Sequence, residues 1–212
     1  MRKGFLITLE GGEGSGKTTQ VELLAAHLEE QGKKVLRTRE PGGTGLGEQV
    51  RTLLLRADGV KISPLTELLL YLSCRAQLVE EVIRPALEAG WIVLCDRYWD
   101  ATVAYQGYGR GLDLNMIEQI NHEVVKDAIP DLTFLLDMEA KAGLDRISGR
   151  GRDRLEGEGL AFHQRVREGY LELALQNPGR IKVIRAERGT LEVAAEIRAH
   201  LPASFLPRLG QG

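Results

Sequence analysis

The feature that most constrains this chain is a glycine-rich loop with the sequence Gly11-Gly12-Glu13-Gly14-Ser15-Gly16-Lys17-Thr18. It matches the pattern G-x-x-x-x-G-K-[ST], in which backbone N–H groups close around phosphate oxygens. The apolar run Phe5 to Leu9 precedes it, and a helical pattern begins soon after it. A strand, a loop and a helix in this order form the context that the motif needs. We therefore predict a nucleotide-phosphate site at the start of the first helix.

The loop predicts a role for several residues. Lys17 should reach the β- and γ-phosphates, and the Thr18 hydroxyl should ligate Mg²⁺. The residues predicted to bind the nucleotide are Gly11, Gly12, Glu13, Gly14, Ser15, Gly16, Lys17, Thr18 and Thr19. The alternative is a glycine turn that binds no ligand, which would not need a strand before it and a helix after it.

Four more short apolar runs follow the first one, and they are Lys34 to Arg37, Trp91 to Cys95, Leu132 to Leu136 and Ile181 to Ile184. They are mostly apolar rather than alternating, which is typical of strands buried on both faces of a parallel sheet. Helical patterns separate them. This alternation predicts one doubly wound, three-layer α/β domain that spans residues 1–212.

The helical patterns have recognisable ends. Val21, Leu24 and Leu28 share one face, and Gly32 follows as a stop. The stretch 64–89 should be helical, with a kink at Pro85 and a stop at Gly90. We predict further helices over 113–126, 139–149, 158–176 and 190–201. The least regular stretches are rich in glycine and charge, and they are 40–47, 106–113 and 149–160.

Composition excludes several classes of protein. The net charge is −2 and the pI is about 6.1, so no basic face for nucleic acid is expected. No signal segment precedes the first strand, and no apolar run reaches the ~20 residues of a membrane span. Cys74 and Cys95 lie in apolar runs and should be buried free thiols, which suits a reducing compartment. We therefore expect a cytoplasmic protein without membrane or nucleic-acid partners.

The kind of phosphate-loop protein follows from what else the sequence contains. The guanine-reading motif N-K-x-D of GTPases does not occur. Transport ATPases and helicases are usually larger and carry further motor motifs. A chain of 212 residues with only the core fold favours a kinase that phosphorylates a small molecule.

Asp96 and Arg97 directly follow the run Trp91 to Cys95. An acidic side chain at the carboxyl end of a strand beside the loop is expected to face the metal ion. Arg97 is suited to hold an anionic acceptor. The alternative is a structural ion pair at the end of a strand.

Two helical patterns combine aromatic and polar residues. Tyr71 and Arg75 are four residues apart and share a face. Tyr98, Thr102 and Tyr105 recur at helical spacing and should share a face as well. An aromatic ring and an arginine on one wall can stack on a base and hydrogen-bond to its edge. Without further context, core packing is the more common explanation of such stripes.

Arg146, Arg150, Arg152 and Arg154 are crowded among glycines near residue 150. Glycines and charges between two helices indicate a mobile flap whose arginines could cover the transferring phosphate. The alternative is a solvated helix end with surface ion pairs.

In their order along the chain, these residues resemble the thymidylate kinase family from Leu9 to about Thr190. The resemblance rests on Leu9-Glu10-Gly11 before the loop, Thr38-Arg39-Glu40-Pro41-Gly42-Gly43-Thr44, Arg75-Ala76-Gln77-Leu78, Asp96-Arg97-Tyr98, Ala104-Tyr105-Gln106-Gly107 and Pro130-Asp131-Leu132-Thr133. It implies a five-stranded parallel core like that of nucleoside monophosphate kinases, a short lid at about 149–160, and a homodimer. It also implies ATP and dTMP as substrates.

The resemblance further implies individual roles at the acceptor site. Tyr71 would stack on thymine, and Arg75 would donate to its O4 atom. Arg39 and Arg97 would lie near the acceptor phosphate, and Thr102 and Tyr105 would line the base and the deoxyribose. Gln106 belongs to the same motif as Tyr105 and is predicted to bind the substrate too.

Glu13 is a departure from some family members, which carry an arginine at that position of the loop. The chain is similar in this respect to the bacterial subtype, which compensates with a lid arginine. Arg150 is the first candidate and Arg152 the second. Together with Lys17, Arg97, Asp96 and Glu13, Arg150 forms the predicted catalytic set, and Thr18 and Asp96 form the predicted metal site.

The expected chemistry needs no strong general base, since a phosphomonoester is mostly dianionic at pH 7. Asp96 is therefore interpreted as orienting Arg97 or a metal-bound water, and Glu13 as holding the acceptor's 3′-hydroxyl or such a water. Two other hypotheses remain open. One is a kinase for another nucleoside monophosphate, and the other is a regulatory protein that hydrolyses ATP slowly as a switch.

Overall fold

The computed structural model describes residues 4–56, 60–149, 151 and 153–205. Its centre is a parallel sheet of β1 (Phe5–Glu10), β2 (Val35–Arg39), β3 (Ile92–Asp96), β4 (Leu132–Asp137) and β5 (Ile181–Arg185). The strand order is β2-β3-β1-β4-β5. The prediction of a five-stranded parallel sheet flanked by helices is therefore confirmed. β1, which leads into the glycine-rich loop, is the central strand.

The strands extend beyond their apolar runs at the carboxyl end. Each one closes on a charged residue that the sequence-based bounds left out, and these are Glu10, Arg39, Asp96, Asp137 and Arg185. These end residues belong to the paired part of the sheet, since Asp96 of β3 pairs with Leu9 of β1 on one side and with Arg39 of β2 on the other. The carboxyl edge of the sheet is thus charged. The prediction that the strands are buried on both faces is confirmed for β1, β3 and β4. It is wrong for β2 and β5, which lie at the two edges of the sheet and keep exposed residues.

The helices are α1 (Lys17–Glu30), α2 (Gly45–Leu55), α3 (Pro64–Leu78), α4 (Arg84–Glu88), α5 (Trp99–Thr102), α6 (Leu114–Val125), α7 (Ala140–Arg146), α8 (Leu160–Gln176) and α9 (Thr190–Ala199). A π-helical segment, Val79–Ile83, joins α3 to α4, and a second one, Val103–Gly109, continues α5. A 3₁₀ turn lies at Ala203–Phe205.

The core has two halves, one on each face of the sheet. Neighbouring residues of β1 point into different halves, with Leu6 in one and Ile7 in the other. α1 and α9 cover the half that contains Ile7, whereas α3 and α8 contribute to the half that contains Leu6. This is the predicted three-layer arrangement. Cys74 and Cys95 are free thiols buried in it, as predicted.

The stretch 64–89 is helical as predicted, but it is not a single α-helix. Pro85 lies in the first turn of α4, where its missing N–H is tolerated, and the π-helical segment Val79–Ile83 takes up the irregularity just before it. The chain leaves α4 with Gly90 in a left-handed conformation, at φ 82°.

Two predicted irregular stretches are partly helical. α2 begins inside 40–47, where the Thr44 side chain accepts a hydrogen bond from the Gly47 N–H at 2.9 Å. The second π-helical segment extends to Gly109, inside 106–113. The sequence did not predict these two helical segments because both contain glycines, which lower helix propensity. Tertiary packing nevertheless stabilises them as helices. Within the described ranges, none of the helices combines the length and apolar character that crossing a membrane requires.

Candidate active site

A cleft of about 480 Å³ opens at the charged carboxyl edge of the sheet. It brings together residues that are far apart in sequence. The predicted site residues that line it are Glu13, Gly14, Gly16, Lys17, Thr18, Thr19, Arg39, Tyr71, Arg75, Asp96, Arg97, Thr102, Tyr105 and Gln106. Gly11, Gly12 and Ser15 belong to the same loop as the first of these. One cavity therefore contains both the phosphate loop and the predicted acceptor residues.

The loop needs its glycines. Gly11, Gly14 and Gly16 have φ values of 139°, 67° and 91°, a region that favours glycine. A Cβ atom on Gly14 would also collide with the backbone of Gly143 in α7. Gly16 is the N-cap of α1, so the positive end of the helix and its first N–H groups are directed at the loop.

Lys17 lies folded over the loop. Its ammonium group donates hydrogen bonds to the Gly12 carbonyl at 2.8 Å, the Gly11 carbonyl at 3.2 Å and the Ser15 hydroxyl at 3.3 Å. Burial, together with the positive charge of Arg97, lowers the pKa of Lys17 to about 8. A lowered pKa means that the ammonium form of Lys17 is destabilised, and an anion bound in the loop would stabilise it again. Lys17 is therefore suited to bind phosphate.

Thr18 in the first turn of α1 contacts Asp96 at the end of β3. The Thr18 hydroxyl donates to Asp96 Oδ2 at 2.6 Å. A hydroxyl and a carboxylate next to a phosphate loop are hard oxygen ligands of the type that Mg²⁺ prefers. Among the described residues, no group of three or more His, Cys, Asp or Glu side chains converges on a metal position. A magnesium ion here would have few protein ligands, as is usual when phosphates supply others.

Arg97 lines the cleft and contacts both the loop and Tyr105. Its backbone is left-handed, at φ 66°, and this turns the side chain towards the loop. The guanidinium donates to the Gly11 carbonyl at 2.9 Å and to Glu13 Oε1 at 2.7 Å, and it lies 4.9 Å from the centre of the Tyr105 ring. Arg97 therefore does form an ion pair, as the structural alternative predicted, and its partner is Glu13.

Glu13 also accepts a hydrogen bond from the Tyr105 hydroxyl at 2.6 Å. Burial by itself would raise the pKa of Glu13, but Arg97, Lys17 and the Tyr105 hydrogen bond outweigh burial and lower it to about 2. The carboxylate is therefore ionised at neutral pH. It thus links Arg97 to Tyr105, which is predicted to line the base and the deoxyribose.

Arg75 is buried, with 1% of its side chain exposed. Its Nη1 group donates to the Thr102 hydroxyl at 2.7 Å and to Asn121 Oδ1 at 2.6 Å. Its Nε and Nη2 groups donate to the Glu40 carboxylate and to the Tyr98 carbonyl. These partners engage all five N–H donors of the guanidinium. Contact with a base would therefore require one of these hydrogen bonds to be shared.

Tyr71 lines the cleft with Arg75, as their spacing predicts. The prediction that Tyr98 shares a face with Thr102 and Tyr105 is wrong. Tyr98 is the residue before α5 and has an extended backbone, so helical spacing does not apply to it. Its ring is fully buried, and its hydroxyl donates to the Ala128 carbonyl at 3.1 Å.

Sequence reasoning missed several residues of the cleft. Arg51, on the unpredicted helix α2, lines it and donates to the Pro41 carbonyl at 2.8 Å. Glu40 and Asn121 hold Arg75. Arg39 is half exposed and pairs with Glu48 of α2 at 2.9 Å. The N-cap threonine Thr44, followed by apolar residues at helical spacing, could have revealed α2 and hence Arg51.

The arginine-rich segment is only partly described. Arg150 and Arg152, the two candidates for the lid arginine, lie outside the described residues. Arg146 lines the cleft and donates to the Ala186 carbonyl at 3.3 Å. Arg154 is largely buried and forms an ion pair with Glu67 of α3 at 2.7 Å. For Arg154, the alternative of a solvated surface ion pair is therefore wrong.

Comparison with known proteins gives one consistent result. The sequence profile of the family described as thymidylate kinase matches residues 9–197. The thymidylate kinase of Syntrophotalea carbinolica is 55% identical over 195 residues, which cover 89% of this chain and 90% of that protein. That of Geotalea uraniireducens is 49% identical and covers 99% of this chain and 100% of that protein.

The crystal structure of thymidylate kinase from Ehrlichia chaffeensis superposes with a TM-score of 0.78 at 38% identity. The match covers 92% of this chain and 97% of that chain.

Proposed function

The chain belongs to the thymidylate kinase family, and from this premise we propose that it transfers the γ-phosphoryl group of ATP to dTMP, giving ADP and dTDP. The observation that carries the proposal is the shared cleft, in which Arg97 lies between the phosphate loop and the walls formed by Tyr71, Arg75 and Tyr105. A donor site and an acceptor site within one cavity are what phosphoryl transfer between two small molecules requires.

On the donor side, we assign the phosphates of ATP to residues 11–19. Lys17 would exchange its carbonyl partners for β- and γ-phosphate oxygens, which restores the stability of its ammonium form. Thr18 and Asp96 would hold Mg²⁺, which supplies charge neutralisation when it is bound. Both side chains are already in contact, so little rearrangement is needed.

On the acceptor side, Tyr71 would stack on thymine, and Arg97 and Arg39 would hold the phosphate. Thr102 accepts a hydrogen bond from Arg75, which leaves its own O–H free to donate towards the cleft. The acceptor atom O4 of thymine can thus be met by Thr102, by Arg75, or by both. Gln106 and Tyr105 complete the wall.

The reaction needs positioning more than proton transfer. An oxygen of the dTMP phosphate forms a bond to the γ-phosphorus, and the bond from that phosphorus to the β–γ bridging oxygen breaks. A phosphomonoester has a second pKa near ~6, so the attacking oxygen is already deprotonated at pH 7. Lys17, Arg97 and a lid arginine, with Arg150 as first candidate, would offset the repulsion between the two polyanions. Glu13 would accept a hydrogen bond from the 3′-hydroxyl of the acceptor or from a metal-bound water.

We also propose a homodimer. α2 and α3 expose Leu46, Leu53, Leu65 and Leu69, each between 41% and 49% exposed, although the two helices pack against each other. A cluster of exposed leucines on adjacent helices is typical of a protein–protein interface. Light scattering on the wild type and on Leu69→Glu tests this proposal, since the charged side chain should give a monomer.

Two further assignments complete the proposal. All 212 residues form one kinase domain with a lid segment at about 149–160, and the protein works in the cytoplasm, where its two free thiols stay reduced. Limited proteolysis tests the first, because a second domain would leave two resistant fragments. Cell fractionation tests the second.

The decisive experiment is a turnover assay with ATP, Mg²⁺ and a panel of acceptors, namely dTMP, dUMP, dCMP, AMP and GMP. The expected result is a marked preference for dTMP and little ATP turnover without an acceptor. Preference for another nucleotide would identify a different monophosphate kinase. ATP hydrolysis that no acceptor accelerates would favour the regulatory switch.

A further inference from the structure

One buried carboxylate joins the acceptor wall to the end of the arginine-rich segment. Glu67 lies on α3, one turn before Tyr71, and its side chain is 0% exposed. It accepts hydrogen bonds or ion pairs from three side chains of two different segments. These are Gln106 Nε2 at 2.8 Å, Arg110 Nε at 3.1 Å and Nη2 at 3.0 Å, and Arg154 Nη1 at 2.7 Å.

The charge of Glu67 determines the orientation of Gln106. A carboxylate only accepts hydrogen bonds, so Gln106 must direct its NH₂ group at Glu67. Its carbonyl oxygen then becomes the polar atom available to the cleft, which Gln106 lines. Burial alone would raise the pKa of Glu67, but hydrogen bonds from Arg110 and Gln106 hold it below its ordinary value. The acceptor-only state therefore persists at neutral pH.

Glu67 also fixes residues 153–158 through Arg154. The Arg154 guanidinium donates to the Leu54 carbonyl of α2 at 2.8 Å, and its backbone N–H donates to the Leu55 carbonyl at 3.2 Å. Arg110 adds a second link, because it pairs with Glu158 at 2.6 Å. Glu67 thus joins α3 to the second π-helical segment and to residues 153–158, and Arg154 joins those residues to α2.

We propose that Glu67 is a positioning residue, which sets Gln106 in the acceptor wall and anchors residues 153–158 against α3 through Arg154. The inference rests on the proposed function for its effect on dTMP, while the anchoring is independent of that function. A structural residue without this role would change stability only. Substitution of Glu67 should change the KM for dTMP and the protection of residues 153–158 against hydrogen exchange.

The test uses Glu67→Gln, which keeps the shape and removes the charge, and Glu158→Gln as the matched control on the same Arg110. In Glu67→Gln the Gln106 amide can face either way. We expect the KM for dTMP to rise about tenfold, with the KM for ATP within about twofold of wild type. Hydrogen exchange over residues 153–158 should become faster. The control should leave both KM values within about twofold.

A double-mutant cycle separates positioning from general damage. In a Gln106→Met background, Glu67→Gln should not raise the KM for dTMP further if it acts through Gln106. Additive effects would overturn that half of the proposal. Unchanged exchange over residues 153–158 in folded Glu67→Gln would overturn the other half.

If Glu67→Gln does not fold, Arg154→Met provides the test, since it leaves Glu67 with Gln106 and Arg110. Exchange over residues 153–158 should then rise while the KM for dTMP stays near wild type, and unchanged exchange would overturn the anchoring. A wild-type enzyme that phosphorylates none of the acceptors would sink the proposed function instead. The exchange measurements would still decide the anchoring.

Discussion

The two proposed sides of the cleft, the donor side around Lys17 and the acceptor side around Arg75, are built in opposite ways. The donor side is local, because Lys17 reaches partners only two to six residues away, all within the loop. The acceptor side is assembled from distant segments, because Arg75 bonds to residues 23 to 46 positions away. A phosphate can be held by one short motif, whereas a base with a specific edge needs side chains that only the whole fold brings together.

The two sides also differ in what they do without a ligand. On the donor side, a buried ammonium has its pKa lowered to about 8 and the loop glycines adopt left-handed conformations. On the acceptor side, Arg75, Glu40, Thr102 and Asn121 satisfy one another. Donor residues are thus held ready for an anion at some loss of stability, and acceptor residues double as part of the core.

The largest effect is expected from the lid arginine, whose candidates Arg150 and Arg152 lie outside the described residues. A catalytic arginine in phosphoryl transfer is worth roughly 10³–10⁵ in rate. Arg150→Ala should lower kcat towards that range, with a smaller change in dTMP affinity. Arg152→Ala is the comparison in the same steady-state assay. A larger loss for Arg152 would move the role there, and small losses for both would remove the segment from the chemistry.

Lys17→Ala should separate activity from stability on the donor side. We expect kcat to fall by on the order of 10³, because one preorganised cation at the transferring phosphate is lost. Circular dichroism should show an intact fold, because the partners of Lys17 are two loop carbonyls and a hydroxyl. A folded variant with near-normal turnover would show that the phosphate-loop assignment is wrong.

Arg75→Met should behave in the opposite way and damage the fold. It leaves the Glu40 carboxylate buried without its cation, and such a loss costs about 3–5 kcal/mol. Urea unfolding measures this. The double variant Arg75→Met/Glu40→Gln should recover part of the loss, since the unpaired charge is removed. If Arg75→Met were as stable as the wild type, the acceptor side would not share the core as we describe.

The donors at the acceptor edge should discriminate between bases. Thymine presents an O4 acceptor where cytosine presents an amino donor, and Arg75 and Thr102 offer donors. An unpaired buried polar group costs about 1–3 kcal/mol, so dTMP should be preferred over dCMP at least about tenfold in kcat/KM. The preference over dUMP should be weaker, since one buried methyl is worth roughly 0.8 kcal/mol. Thr102→Val should lower the ratio of kcat/KM for dTMP to kcat/KM for dCMP. An unchanged ratio would show that Thr102 does not contact the base edge.

The smallest effect concerns Lys17 and pH. Its folded pKa of about 8 lies below the ordinary value of 10.5, so folding penalises the ammonium form. The penalty is fully present below pH 8 and disappears as pH rises through 10.5. At pH 7, ligand-free Lys17→Met should be more stable by about 1 kcal/mol or more, or roughly 2–4 °C in Tm. Equal melting temperatures at pH 7 would contradict the view that the donor side is destabilised.

The same difference between local and distant contacts limits what the sequence alone could predict. The sequence determined the sheet, because each strand contains a short, mostly apolar run. The central strands β1, β3 and β4 are buried almost throughout, whereas the edge strands β2 and β5 are only partly buried. It determined the phosphate loop, because all of its residues lie within the contiguous stretch 11–19. Spacing and the family resemblance also named Tyr71, Arg75, Thr102 and Tyr105, but they missed Glu40, Arg51 and Asn121. The sheet and the loop depend on neighbours along the chain, where spacing and residue type carry the information.

Only the tertiary structure decided the rest. The contacts around Glu67, the enclosure of Arg75 by Glu40 and Asn121, and the core position of Tyr98 all depend on residues that are 30 to 100 positions apart. Spacing along the sequence does not encode such contacts. Helix α2 formed although glycines oppose it, because its capped start and its packing against α3 outweigh propensity. Buried charges must find partners wherever the fold places them, and that requirement acts on the assembled core rather than on the sequence order.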